Sequence, residues 1–291
     1  MFRFLNKFLG QEVSAPPEPK KQAPTLTVKV ASPPQAAVAE LNISRTDLLQ
    51  HMWGRGLSGP GDPAYFVGLV SAFQLGPQKN VLDLSAGLGG LARDIAGRYK
   101  TYVTGFERDA QLANEGMHLS SLEGNARNAA VKHYQPEEFE FNRPVDAVIM
   151  RELLYSICDK DAFVVKVSGA LRSHGHLLMT DFICDDPAVL ESAAVKAWQQ
   201  VERDVHIVLP KEMARVLTSY GFDLRTSEDT TRIYMRQILA GLGLLAKNFE
   251  GQRLSAAAKQ LVAAEVDFWT RRLAALEAGV KHMRFHAVKC G

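Results

Sequence analysis

A glycine-rich loop and an acidic residue 20 positions after its first glycine are the residues best suited to binding chemistry. The loop, Asp83-Leu-Ser-Ala-Gly-Leu-Gly-Gly90, follows a short apolar run and leads directly into a helical pattern. Glycines let a ligand approach the backbone, and the free N–H groups of a helix start favour acceptor groups. Glu107 ends the next predicted strand, where a carboxylate can accept both hydroxyls of a ribose. The pattern predicts a nucleoside-binding site.

The charge beside the loop indicates which nucleoside it binds. A dinucleotide site places a pyrophosphate at the helix N-terminus and uses the spacing G-x-G-x-x-G. Here the glycines are Gly87, Gly89 and Gly90, and the acidic Asp83 precedes them. An acid at this place would repel a pyrophosphate but can order a loop that faces a cationic, amine-bearing ligand. We therefore expect S-adenosylmethionine as the cofactor, with an NAD-dependent oxidoreductase as an alternative.

A sheet is needed to bring the loop and Glu107 together. Strand patterns alternate with helical patterns, notably 110–123 and 161–171, which favours a parallel sheet covered on both faces. Beyond these, a long helical region covers 232–248 and 255–278. The predicted strands are 80–84, 102–106, 130–133, 145–150, 176–180, 221–225 and 284–288. We expect an α/β fold with a seven-stranded, mostly parallel sheet and helices on both faces.

Several segments resemble a known family. The run 81–90 resembles motif I of class I S-adenosylmethionine-dependent methyltransferases, and 103–107 resembles the acidic motif that follows it. Residues 53–61 are similar to the lid segment of phosphoethanolamine and related small-molecule N-methyltransferases. The segments similar to their fourth, fifth and final strands are 146–155, 177–182 and 281–289. The resemblance covers 47–289. It implies a Rossmann-like methyltransferase fold and methyl transfer to a nitrogen or oxygen of a small molecule.

The resemblance also implies roles for individual residues. The cofactor-binding residues are expected to be Ser58, Asp83, Ser85, Ala86, Gly87, Gly89, Glu107, Arg108, Gln135 and Arg151. Two catalytic contacts are expected: Asp181, facing the acceptor amine at the end of the fifth strand, and Tyr155, lining the acceptor pocket. The alternatives are a helix cap or turn residue for Asp181, packing for Tyr155 and a solvated side chain for Arg151. No metal ligand is assigned.

Two departures from the family pattern allow a different class of function. Ser85 replaces the usual first glycine of motif I, and Ser156 stands where relatives often carry a histidine. The second departure removes the acid–base group expected after the fourth strand. The alternative is a catalytically degenerate module that kept the fold for binding or regulation and lost methyl transfer.

Composition and charge exclude other classes. Of 291 residues, 46% are hydrophobic and 23% are charged, an ordinary globular balance. The net charge of +2 gives no electrostatic excess that would favour nucleic acid. No run approaches 18 consecutive apolar residues, and three widely spaced cysteines suit a reducing compartment. We expect a cytoplasmic protein without a nucleic-acid partner, and the oligomeric state stays open.

The first part of the chain differs in composition from the rest. Residues 1–39 are rich in proline, and we expect a disordered extension before a methyltransferase domain at 40–291. The tip, 1–10, can form a short helix with apolar Phe2, Leu5, Phe8 and Leu9 beside basic residues. Such a segment predicts weak peripheral contact with the inner membrane face or with a protein.

Overall fold

The computed structural model describes residues 40–202 and 204–291. The predicted disordered extension and its tip lie outside the described residues. The helices are α1 Arg45–Trp53, α2 Pro63–Val70, α3 Gly90–Tyr99, α4 Ala110–Leu122, α5 Lys160–Ala170, α6 Ala193–Gln199, α7 Pro210–Ser219, α8 Thr231–Asn248 and α9 Ala256–Glu277. The strands are β1 Asn80–Asp83, β2 Tyr102–Glu107, β3 Ala129–His133, β4 Val145–Arg151, β5 Leu171–Cys184, β6 Phe222–Asp229 and β7 Val280–Lys289. Short 3-10 turns lie at Ser71–Phe73, Pro136–Glu138, Leu154–Ser156 and Pro187–Glu191.

The strands form one seven-stranded sheet in the order β3-β2-β1-β4-β5-β7-β6. The first five strands in this order are parallel, and β7 runs antiparallel to both β5 and β6. One core cluster packs α1 to α4, α6, α8 and α9 on one side of the sheet, and a second packs α5 and α7 on the other. The predicted mostly parallel seven-stranded α/β fold is confirmed.

Local sequence explains where several helices begin. Ser44 caps α1, accepting a hydrogen bond from the Asp47 amide at 3.1 Å, and Asp109 caps α4. Both are residue types that satisfy the free N–H groups of a first helical turn. Gly89 precedes α3 with a φ of 75°, a left-handed conformation that favours glycine.

The structure extends some predicted strands. β5 begins at Leu171 rather than 176, since the polar stretch before 176 belongs to the same long strand. β6 continues to Asp229 rather than ending at 225, because its polar residues pair with β7 while their side chains face solvent. Polar strand residues carry no apolar signal, so the sequence pattern began the first of these strands late and ended the second early.

The sheet register brings the predicted binding residues to one edge. Asp83, at the end of β1, pairs with Gly105 of β2 and Ile149 of β4. The carboxyl ends of these parallel strands therefore meet, and ligands of open α/β sheets bind outside such ends. Helices α1 and α9 close the same region, where the rings of Trp53 and Trp269 lie 4.7 Å apart.

Candidate active site

A cavity opens at this edge of the sheet and has two differently built halves. The half next to β1, β2 and β4 is lined by Ser58, Ser85, Gly87, Glu107, Arg108 and Arg151. The half beneath α8 and α9 is lined by Glu152, Tyr155, Tyr234, Glu265, Phe268, Trp269 and Arg272. The first half consists of strand ends and a loop, whereas the second consists of aromatic and charged side chains.

The glycine loop forms a cradle beneath the lid segment 53–61. Gly87 has a φ of 55°, and a Cβ atom placed on it would overlap the Ser58 hydroxyl oxygen of the lid. The Gly90 amide donates a hydrogen bond of 2.9 Å to the Gly56 carbonyl, and a Cβ on Gly90 would lie 2.5 Å from that oxygen. The close approach of two backbones therefore requires glycine at Gly90, and the left-handed φ favours glycine at Gly87.

Glu107 is a buried carboxylate that keeps capacity for a ligand. One oxygen accepts the Gly87 amide at 2.8 Å and the other accepts the Asp109 amide at 2.9 Å. Each carboxylate oxygen has a second lone pair, so two further hydroxyl donors can be accepted. Burial raises the pKa of Glu107, opposed by these two amide hydrogen bonds.

Asp83 lies beside the lining residues Leu84 and Ser85 and is fully buried. Its Oδ1 accepts the Ser85 amide at 3.0 Å, while Oδ2 has no partner among the described residues. Burial raises the pKa of Asp83, and the charge of Arg151 opposes that rise. An unpaired buried carboxylate oxygen suits a cationic ligand group, because leaving it unpaired costs free energy.

Arg151 and Ser85 join the ends of β4 and β1. The Arg151 amide donates to the Ser85 hydroxyl at 2.7 Å, and its guanidinium donates to the Ser85 carbonyl at 2.8 Å. The guanidinium carbon lies 4.8 Å from the centre of the Phe66 ring, and Nε is buried without a partner among the described residues. The Ser85 side chain therefore makes a hydrogen bond that a glycine at this position could not make.

The remaining predicted cofactor residues divide into those that line the cavity and those that do not. Arg108 lines it and donates a 2.7 Å hydrogen bond to the Ser156 hydroxyl. Ala86 and Gly89 belong to the glycine loop but do not line the cavity. The Ala86 methyl packs closely against Gly105, where an added Cβ would lie 2.8 Å from it. Gln135 is exposed and lies outside the cavity lining. The structure does not bring it to the site.

Asp181 does not line the cavity. Its side chain is fully buried outside the cavity lining, with Oδ2 accepting the Leu154 amide at 2.6 Å. Oδ1 accepts the amides of Tyr155 at 2.9 Å and of Phe182 at 2.7 Å. Burial raises the pKa of Asp181 to about 7, although the amides oppose that rise. The carboxylate fixes the 3-10 turn that follows β4, which matches the alternative role of a turn residue, and the catalytic contact stays a prediction.

Lys160 holds the same turn from its other end. The buried ammonium donates to the carbonyls of Leu154 at 2.9 Å and Ile157 at 2.7 Å. The Asp181 carboxylate thus accepts from the amides of this turn, and the Lys160 ammonium donates to carbonyls of the same turn. The turn presents Tyr155, which lines the cavity and whose ring stacks on Trp198 with centroids 5.7 Å apart. The catalytic contact of Tyr155 stays a prediction.

Arg272 is a site residue that the sequence interpretation missed. Its guanidinium donates to the hydroxyls of Tyr234 at 3.0 Å and Tyr155 at 3.3 Å, and it pairs with Glu202. Aromatic rings surround it, with Phe268 at 4.6 Å and Trp269 at 4.9 Å from the guanidinium carbon to the ring centre. Arginine side chains on helices are rarely buried, so the sequence offered no signal for a buried arginine at this position.

Glu152 was also missed, although its position offered a signal. It directly follows β4, at the carboxyl edge where ligands bind, and it lines the cavity. Its Oε1 accepts hydrogen bonds from Thr180 at 2.7 Å and from His282 Nε2 at 2.8 Å. Burial raises its pKa, but the His282 hydrogen bond, the charges of His282 and Arg151 and the Thr180 hydrogen bond lower it below its usual value.

Across 40–202 and 204–291, no group of three or more His, Cys, Asp or Glu side chains is placed to hold a metal ion. Within the same ranges, none of the helices combines the length and apolarity needed to cross a bilayer.

A glycine cradle after β1, a carboxylate ending β2 and an adjoining polar pocket define an α/β protein with a nucleoside-type site at the carboxyl edge of its sheet. The chain belongs to the family described as a methyltransferase domain, whose sequence model matches residues 63–227, more than half of the 291 residues. The resemblance to class I S-adenosylmethionine-dependent methyltransferases is confirmed.

Curated relatives carry N-methyltransferase names. Phosphoethanolamine N-methyltransferase 1 of Arabidopsis thaliana is 23% identical over 206 residues, covering 69% of this chain and 40% of that protein. Sarcosine/dimethylglycine N-methyltransferase of Halorhodospira halochloris is 26% identical over 162 residues, 54% of this chain and 56% of that protein. This chain therefore spans less than two thirds of the length of the relatives it matches.

Solved structures share the fold. Phosphoethanolamine N-methyltransferase 2 of Haemonchus contortus, in complex with phosphomonomethylethanolamine and S-adenosylhomocysteine, aligns with a TM-score of 0.72 at 20% identity. The alignment covers 85% of this chain and 58% of that one. At this identity the likeness establishes the fold alone, and activity has to be argued from the site.

Proposed function

We propose that this protein transfers a methyl group from S-adenosylmethionine to a nitrogen of a small polar molecule. One observation carries the proposal: a single cavity joins the nucleoside-type half, with Gly87 and Glu107, to a second half containing Glu152, Tyr155 and Arg272. Transfer between two bound molecules needs such adjoining halves, because the reacting atoms have to be aligned in contact.

The cavity residues fit S-adenosylmethionine. The free lone pairs of Glu107 suit the ribose hydroxyls, and the buried, unpaired Asp83 Oδ2 suits an ammonium group. The unpartnered Arg151 Nε and its guanidinium suit a carboxylate, and the Gly87 cradle lets the ligand approach the backbone. When bound, this cofactor supplies an electrophilic methyl group on a sulfonium sulfur.

The second half of the cavity supports a nitrogen acceptor. The acceptor's lone pair forms a bond to the methyl carbon as the carbon–sulfur bond breaks, so positive charge moves from sulfur to nitrogen. Glu152 lines this half and its pKa is lowered, so it is ionised at neutral pH and can stabilise that charge. The curated relatives are named N-methyltransferases, which supports nitrogen over oxygen.

Arg272 and the two tyrosines, Tyr155 and Tyr234, add hydrogen-bonding groups to the acceptor half. Burial holds the pKa of Tyr155 well above its usual value, and Arg272 opposes that rise, so the hydroxyl stays protonated and can donate. Arg272 is paired with Glu202, so its charge is largely balanced before an acceptor binds. These groups offer a small polar acceptor several hydrogen bonds. The chain's main contribution is alignment, for which about 7–11 kcal/mol is available in principle.

Labelled S-adenosylmethionine tests the proposal. The protein is incubated with methyl-labelled cofactor and a metabolite extract, and mass analysis identifies what becomes labelled. A labelled small molecule that carries the methyl on nitrogen is the expected result, with Glu107→Ala as the inactive control. Calorimetric titration of S-adenosylmethionine and S-adenosylhomocysteine accompanies it. Binding without any transfer would support the degenerate binding module, and the absence of binding would refute a methyltransferase.

We also propose that residues 1–10 bind weakly to the cytoplasmic face of an anionic membrane. The support is the sequence alone: apolar residues alternate with Arg3 and Lys7, and a single short segment of this kind binds reversibly. Sedimentation with anionic liposomes, comparing the full chain with a chain lacking 1–39, tests it. Salt-sensitive sedimentation of the full chain alone is expected, and equal sedimentation of both would contradict the idea.

A further inference from the structure

Glu152 is held by one oxygen and leaves the other to the cavity. Oε1 accepts both the Thr180 hydroxyl and His282 Nε2, at 2.7 and 2.8 Å. Among the described residues, Oε2 has no hydrogen-bond partner, yet it is not sealed from the cavity that Glu152 lines. The carboxylate is therefore oriented by protein donors on one side and available to a ligand on the other.

His282 is fixed by contacts around its ring. It is 1% exposed, and Nδ1 lies 2.8 Å from the Thr230 hydroxyl, itself buried. One face stacks on Tyr234, with ring centres 3.9 Å apart and planes 8° apart. Because Nε2 faces an ionised carboxylate, Nε2 carries the proton, and Nδ1 is hydrogen-bonded to the Thr230 hydroxyl, which also lies 3.1 Å from the His282 carbonyl. The ring has one orientation and a fixed donor.

The backbone of Glu152 is strained. Its φ is 45°, in the left-handed region that a non-glycine residue rarely adopts, and its amide donates to the Thr180 carbonyl at 2.7 Å. Such strain persists only where the surroundings over-determine the conformation, and it concentrates at functional sites. Here β5 and β7 supply the restraints that keep the carboxylate at the cavity.

We propose that His282 is a positioning residue: through Glu152 it orients the carboxylate that stabilises the positive charge developing on the acceptor nitrogen. Glu152 forms and breaks no covalent bond in this role and accepts no proton. The place after β4 where relatives often carry a histidine holds Ser156, whose hydroxyl donates to the Leu153 carbonyl and accepts from Arg108. The imidazole next to this site comes instead from β7. This inference rests on the proposed function.

The pH dependence has a definite sign. The titratable and charged groups acting on or facing Glu152 are Tyr65, Arg151, Asp181, Tyr234 and His282. Burial raises the pKa of Glu152, and His282 is the largest opposing influence, followed by Arg151. Without His282 the pKa of Glu152 rises. Because the ionised form is the active one, the fall of activity at acidic pH then begins at a higher pH.

The test compares variants along β7 under saturating cofactor. His282→Leu is expected to lower kcat by about ten- to a hundredfold, as for a lost hydrogen bond to a charged group, with a smaller change in KM. Its acidic limb moves to higher pH. His282→Gln keeps an N–H donor and is expected to recover most of kcat. His286→Leu, at a half-buried histidine of the same strand that pairs with His176, is the matched control and leaves the pH profile unchanged.

A second readout does not depend on turnover. Nitrogen-15 NMR of the imidazoles in the full chain is expected to show His282 protonated at Nε2, and this tests the pairing even if no acceptor is found. An unprotonated Nε2, or an acidic limb that stays in place in His282→Leu, would overturn the inference. If His282→Leu does not fold, Thr230→Val replaces it in the test. A smaller shift of the acidic limb is then expected, and the absence of any shift would refute the inference. Absence of transfer by the wild type would instead refute the proposed function.

Discussion

Removing the Glu107 carboxylate should weaken S-adenosylmethionine binding without unfolding the chain. Glu107→Ala deletes both acceptor oxygens that face the cavity, and it leaves the amides of Gly87 and Asp109 without their present partners. A hydrogen bond to a charged group contributes about 1.5–3 kcal/mol, and about 1.4 kcal/mol corresponds to a tenfold change in affinity. The loss of one such bond already weakens binding by one to two decades. We expect a change of at least that size.

The stability effect should be small, because two opposing contributions nearly balance. The variant loses two amide hydrogen bonds, but it also removes a carboxylate whose pKa burial has raised, so ionising it in the fold costs free energy. Glu107→Gln is the informative companion: it keeps one acceptor oxygen and the side-chain volume, so its affinity should fall between those of wild type and Glu107→Ala.

Calorimetric titration of S-adenosylmethionine, together with thermal unfolding, measures both effects. Glu277→Ala, at an exposed acid near the end of α9, is a control that should bind like wild type. Wild-type affinity in a folded Glu107→Ala protein would refute the assignment of Glu107 to the ribose. Equal losses in Glu107→Ala and Glu277→Ala would show that general charge, rather than the two oxygens, controls binding.

Three other substitutions probe the cradle, the turn after β4 and the buried arginine. Gly87→Val should abolish cofactor binding in calorimetry, because its Cβ would overlap the lid serine at a φ of 55°, whereas Gly97→Ala, with open space around it, should bind normally. Asp181→Asn should become more stable relative to wild type as pH rises from about 4 to about 8. Burial raises the pKa of the wild-type Asp181 carboxyl to about 7, so its ionisation in the folded state costs free energy that the neutral asparagine avoids. Parallel melting curves across that pH range would contradict this. Arg272→Met should lower the free energy of unfolding by about 3–5 kcal/mol by leaving a buried carboxylate unpaired, and adding Glu202→Gln should restore much of it in denaturant titrations. Additive losses in the double variant would show that the pair is not coupled.

The nucleoside half of the site could be predicted from the sequence because its signals are local. The run 81–90 places glycines, a strand end and a helix start within ten consecutive residues, and Glu107 ends the next strand. Parallel strands bring such ends to one edge of the sheet wherever the helices pack. This pattern predicted Gly87 and Glu107, and the family resemblance added Ser58, Ser85, Arg108 and Arg151; all six line one cavity.

Apart from Tyr155, the residues of the acceptor half could not be predicted, because they come from distant parts of the chain. Glu152 receives its donors from Thr180 and from His282, 28 and 130 positions away. Arg272 meets the hydroxyl of Tyr155 across 117 positions. No periodicity connects residues at such separations; the antiparallel pairing of β5 with β7 and the packing of α9 bring them together.

Asp181 shows most clearly what the sequence determined and what the tertiary structure determined. The sequence by itself determined that an acid follows an apolar strand near the ligand edge, and hence that the residue belongs to the site region. Only the tertiary structure decided that its oxygens face the amides of the 3-10 turn, while Glu152, directly after the neighbouring strand β4, lines the cavity. The physical reason is that residue type and strand position fix which edge of the sheet a carboxylate reaches. Whether it meets a ligand or a backbone amide depends on where the next turn of the chain packs, and that depends on long-range contacts.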